Sequence, residues 1–84
     1  MREGWTFEDG HHPAWIYKDG EMWVRHYPAT QVMGEHWQAY RILGKRKSGR
    51  KPWANDNKRI GAGDGFRSLV AAMEAVEFEA IAQA

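Results

Sequence analysis

The sequence predicts an α+β domain: a small antiparallel sheet of two to four strands packed against one C-terminal helix. Three observations carry that expectation. Residues 14–27 read as a hairpin, with aromatic and β-branched runs on either side of Asp19-Gly20, a two-residue turn signal. Residues 36–43 alternate as one further strand. Residues 66–82 place Phe66, Leu69, Val70, Met73, Val76 and Ala80 at spacings of three and four, the period of an amphipathic helix. The chain has 84 residues, enough for one domain over 1–84. A core that small must be built from large side chains, and five Trp, three Tyr and three Phe supply them.

Residues 1–12 are polar except for Trp5 and Phe7, which point the same way if the segment is extended. They form either an edge strand or a tail that docks its aromatics. Asp9-Gly10 marks a turn before the hairpin. The hairpin signal implies a register: Lys18 opposite Glu21, Tyr17 opposite Met22, Ile16 opposite Trp23, and Trp15 opposite Val24. One face then carries Trp15, Tyr17, Met22 and Val24 and is assigned to the core. The other mixes Ile16 and Trp23 with Lys18, Glu21 and Arg25, as a solvated or binding face would. Pro28 ends the hairpin. In the next strand Gln38, Tyr40 and Ile42 alternate with Trp37, Ala39, Arg41 and Leu43. Both sets contain apolar residues, so the core side stays open.

Residues 44–65 are basic, then glycine-rich, and read as one long loop. A connection of that length is unusual in a compact domain, which favours either a functional loop or a short strand hidden near residues 58–62. Alanines at 71, 72, 75 and 80 favour the helix that follows, with Asp64 or Ser68 as its N-terminal cap.

The chain has no cysteine, which removes disulfides and thiolate chemistry and favours a cytoplasmic setting. No apolar run has the length of a membrane span or the form of a signal peptide, so no membrane partner is expected. Net charge is +1, but it is unevenly spread: −3 over residues 1–40, +7 over 41–59 and −3 over 60–84. The basic side chains of the middle segment are Arg41, Lys45, Arg46, Lys47, Arg50, Lys51, Lys58 and Arg59. Such a run suits phosphate contact, with Trp53 beside it to stack on a base or wedge into a groove. It also suits a solvated loop or an acidic protein partner.

Trp23 and Arg25, extended by Trp37 and Arg41 on the next strand, form a second candidate surface. The competing expectation packs Trp23 and Ile16 against the N-terminal segment or Trp53. His11, His12, His26 and His36 lack a spacing that suits zinc, so no metal or other cofactor is expected. Gly61, Gly63 and Gly65 have a partial likeness to a dinucleotide fingerprint, but the chain is too short for the βαβ unit that the motif requires. Ser48 and Ser68 lack a recognisable base, and no carboxylates pair, so the chain is not expected to be an enzyme.

Trp15 to Arg25 as a Trp-bearing hairpin, Trp37 to Leu43 as a third strand, and Phe66-Arg67-Ser68-Leu69 opening an alanine-rich helix together resemble the AP2/integrase-type DNA-binding domain. The resemblance covers roughly residues 14–80 as a pattern. It implies a three-stranded sheet on one helix that reads the major groove, with Trp23, Arg25, Trp37 and Arg41 as contacts. The 44–65 segment is longer than that family's link, and Glu21 departs on the reading face. The function expected is a non-catalytic nucleic-acid-binding accessory module, phage-like in composition, with DNA ahead of RNA. The alternative is a protein-interaction module or inhibitor of a larger protein, or a homodimer, since Trp and Arg concentrate at interface hot spots.

Overall fold

The sheet has five strands rather than two to four. The computed structural model describes residues 2–10, 13–18, 20–44, 52–61 and 63–83. Strands β1 (Trp5–Glu8), β2 (Ala14–Tyr17), β3 (Met22–Tyr27), β4 (His36–Gly44) and β5 (Asp56–Ile60) form an antiparallel meander in chain order. Helix α1 (Leu69–Gln83) packs over β3, β4 and β5.

The segment read as one long loop contains a 3₁₀ turn at Pro52–Ala54 and the whole of β5. The sequence Asp56-Asn57-Lys58-Arg59-Ile60 hid the strand because it has low β-propensity and a single apolar residue. It is an edge strand, where charged side chains guard the open side against pairing with another chain. A bulge between Ile42 and Gly44 leaves Leu43 out of the ladder and exposed.

The hairpin register is the expected one, with Tyr17 opposite Met22, Ile16 opposite Trp23 and Trp15 opposite Val24. The turn is closed by Gly20 N donating to Tyr17 O at 3.0 Å, and Lys18, though not glycine, takes φ 47°. Residues facing each other across an antiparallel pair share a face. Val24 opposite Ala39 and Met22 opposite Arg41 therefore settle the core side of β4. Met22, Val24, Ala39 and Trp5 meet Ala72, Met73 and Val76 of the helix, with Trp15, Tyr17, Trp37, Phe66 and Leu69 packed around them.

Helix α1 begins at Leu69, not at Phe66. Phe66 instead bridges to β4: Phe66 N donates to Trp37 O at 2.7 Å, and Trp37 N to Phe66 O at 2.8 Å. Gly65, at φ 80°, makes that contact possible, since a Cβ there would lie 2.7 Å from Trp37 O. Of the two cap candidates Ser68 takes the role, its Oγ accepting from Ala71 N at 3.1 Å. Val70, counted in the apolar stripe, is half exposed and stands outside the core.

The N-terminal segment is a true edge strand and is strapped to the helix by one carboxylate. Arg2 Nε and Nη2 donate to Glu77 at 2.7 and 2.8 Å, and Trp5 Nε1 donates to it at 2.9 Å. The Arg2 hydrogen bonds, then Trp5, hold the Glu77 carboxyl below its ordinary value of 4.5, against the opposing effect of burial. A depressed folded-state value means stabilisation that is present above the unfolded value and lost as pH falls through the folded one. Glu77→Gln should therefore lower the melting temperature at neutral pH, and its gap from the parent should close as pH falls below about 4.3. A gap that persists to the acid end would show that Glu77 contributes through packing alone.

Candidate functional site

The face of the sheet turned away from α1 carries two different environments. At the end nearer the 3₁₀ turn lies a small second core. Trp23 is 2% exposed there, stacked on Tyr40 with ring centroids 4.9 Å apart. Its Nε1 donates to Asn57 Oδ1 at 2.8 Å, while Asn57 Nδ2 donates to the carbonyls of Pro52 and Asn55. Asn57 thus ties the indole of β3 to the turn that precedes β5, where Pro52 is buried.

At the other end the same face opens into a concavity of ≈ 390 Å³. Its floor comes from Tyr27 of β3 and from His36, Gln38 and Tyr40 of β4; Arg59 of β5 and Gly63 border it. The β3–β4 connection supplies the rim through Thr30 and Met33. That connection is closed on itself: Thr30 N donates to Met33 O at 2.7 Å, and Met33 N to Thr30 Oγ1 at 3.0 Å.

Aromatic contacts order the floor. The Tyr27 ring stacks on His36 with centroids 5.0 Å apart and 4° between planes, and the Arg25 guanidinium lies 4.7 Å from the Tyr27 centroid. The Tyr27 and Tyr40 hydroxyls share a hydrogen bond of 2.8 Å. Burial first, then that bond, pushes the Tyr40 hydroxyl up to about 12, so it stays protonated at neutral pH. His36 Nδ1 donates to Gly34 O at 3.0 Å.

Gln38 is the anomaly of the site. It is 4% exposed, and its Nε2 donates to Gly63 O at 3.3 Å, a carbonyl that also accepts from Arg59 Nη1 at 3.0 Å. Its Oε1 is buried with no hydrogen-bond partner. An acceptor in that state costs about 1–3 kcal/mol of lost hydration. The opposite amide orientation would set Oε1 against the Gly63 carbonyl, acceptor on acceptor.

The residues expected from the sequence to bind are distributed over both faces. Arg25 and Arg59 lie on the concave face. Arg41 and Lys58 are cross-strand partners on the helix side, beside Glu79. Trp37 is half-buried on the helix side, its ring 5.0 Å from His26. Trp53 is half-buried in the 3₁₀ turn. Trp23 offers almost no surface, because it stacks on Tyr40 and is clamped by Asn57. Lys45, Arg46, Lys47, Arg50 and Lys51 lie outside the described residues, as do His11 and His12. Among the described residues no three His, Asp or Glu side chains gather as metal ligands, and no helix is long and apolar enough to cross a membrane.

Tyr27, Gln38 and Tyr40 were not singled out from the sequence, and His36 and Gly63 were weighed there only for zinc and for a dinucleotide motif. The alternation of His36, Gln38 and Tyr40 was the available signal, but it became a site only once Tyr27 and Gly63 were known to lie beside it. Fold and site together define a small α+β domain with one helix on a five-stranded meander and an aromatic, arginine-bordered concavity on the uncovered face. No protein-family model, curated protein or solved structure matches the chain.

Proposed function

We propose that the chain is a non-catalytic nucleic-acid-binding module, acting on single-stranded DNA in preference to RNA. Its phosphate contacts come from the basic segment between β4 and β5. The observation that carries this reading is the net +7 over residues 41–59, of which Arg41 stands on β4 and Lys58 and Arg59 on β5. Single strands fit better than duplex because the uncovered face offers rings beside arginines, the combination on which unpaired bases stack.

A titration of single-stranded and duplex DNA and RNA oligonucleotides at two salt concentrations tests it. Single-stranded DNA should bind tightest, with affinity falling as salt rises. Absence of binding at low salt, or affinity indifferent to salt, would refute the reading.

A second reading, a homodimer, has its own observation. Phe78 and Ile81 are 74% and 75% exposed on the outer side of α1, a helix that carries apolar residues nearly all round. Light scattering across a concentration series separates the two, since a strict monomer excludes the dimer.

A further inference from the structure

We propose that the concavity holds one extruded nucleobase whose amino N–H donates to Gln38 Oε1, with adenine the best-matched base. The proposal rests on the single-strand reading above and names what the uncovered face recognises.

Three observations carry it. The first is the orphaned acceptor: Oε1 of a residue 4% exposed has no partner among the described residues, and a ligand donor would complete it. The second is what remains on the same amide. Nε2 has two protons, and one is directed to Gly63 O at 3.3 Å. Gln38 thus presents one acceptor and one further donor side by side. Adenine presents the complement, an amino N–H next to a ring nitrogen, as cytosine does with N4–H and N3, and of the two the purine has the larger π-face to stack. The third is the shape and chemistry around that amide. Tyr27, His36 and Tyr40 line the concavity with aromatic side chains, and Arg59 at the border favours an anionic phosphate.

Oε1 is sealed from water in the structure, so the base must displace part of the rim to reach it. The β3–β4 connection is suited to this. Its turn is held by bonds between Thr30 and Met33, which move with it. Its apolar side chains Val32 and Met33 are exposed. The opening breaks no bond within that turn, and it works against the His26 Nε2–Glu35 Oε2 contact of 2.8 Å and the His36 Nδ1 bond to Gly34 O at 3.0 Å, which tie the end of the connection to the sheet.

The test uses the whole chain and a short DNA strand carrying a single adenine among abasic residues. The comparison strand has unsubstituted purine in its place, which differs only in lacking the amino group. The parent protein should bind the adenine strand about tenfold more tightly, the scale of one hydrogen bond to a buried partner. Gln38→Met, similar in size but without the amide, should bind both strands alike. Equal binding of the two strands by the parent protein overturns the inference while leaving phosphate contact intact. This arm needs no variant, so it stands even if Gln38→Met fails to fold. Free adenosine and purine monophosphates provide the remaining arm. If they show the adenine preference while no oligonucleotide binds, the pocket is upheld and the nucleic-acid function falls.

Discussion

Trp23→Ala is expected to cost about 3–5 kcal/mol of stability, the range for emptying a buried aromatic site. The indole is 2% exposed, stacks on Tyr40, and is the donor that satisfies Asn57 Oδ1. Its loss leaves a cavity and a half-buried acceptor without its partner, and it frees the 3₁₀ turn that Asn57 ties down. Small domains are held by about 5–15 kcal/mol in all, so this change is large enough to unfold a substantial fraction of the protein. Met73→Ala under the helix should fall in the same class, at about 2–5 kcal/mol. Trp23→Phe should be milder, because a ring remains to stack. Denaturant melts of the three variants check the ranking. A Trp23→Ala protein that melts like the parent but loses oligonucleotide affinity would place Trp23 in the binding surface after all.

Replacing Lys45, Arg46, Lys47, Arg50 and Lys51 together with Ser should have the opposite signature. The melting temperature should hardly move, since five like charges close in sequence repel one another and their removal relieves that repulsion. Affinity for single-stranded DNA should fall by roughly a hundredfold or more at low salt. The slope of log affinity against log salt should flatten by about 3.5, since each phosphate contact on a single strand contributes about 0.7. Unchanged affinity and slope would remove the segment from the interface. Loss of cooperative unfolding would show instead that it belongs to the core.

The hairpin was legible because its information is local. Asp19-Gly20 between two alternating runs sets a register, and one register puts Trp15, Tyr17, Met22 and Val24 on one side. The helix was legible for the same reason, although its start was not. Phe66 keeps helical spacing with Leu69 and Met73, yet it is drawn into a bridge with Trp37 that no local pattern announces. β5 was hidden because an edge strand with one buried neighbour requires little apolar sequence of its own.

By itself, then, the sequence determined the α+β class, the hairpin register, the presence of a C-terminal helix and the concentration of positive charge between residues 41 and 59. Each follows from period, turn chemistry or formal charge within a short window. Only the tertiary structure decided that Trp23 is enclosed while Tyr27, His36 and Tyr40 line a concavity with Gln38 buried in its floor, though all five occupy the same face. The physical reason is that burial depends on what is laid over a face by segments distant in the chain. Asn57 draws the 3₁₀ turn over one end, and Gly63 and the β3–β4 connection border the other without closing it.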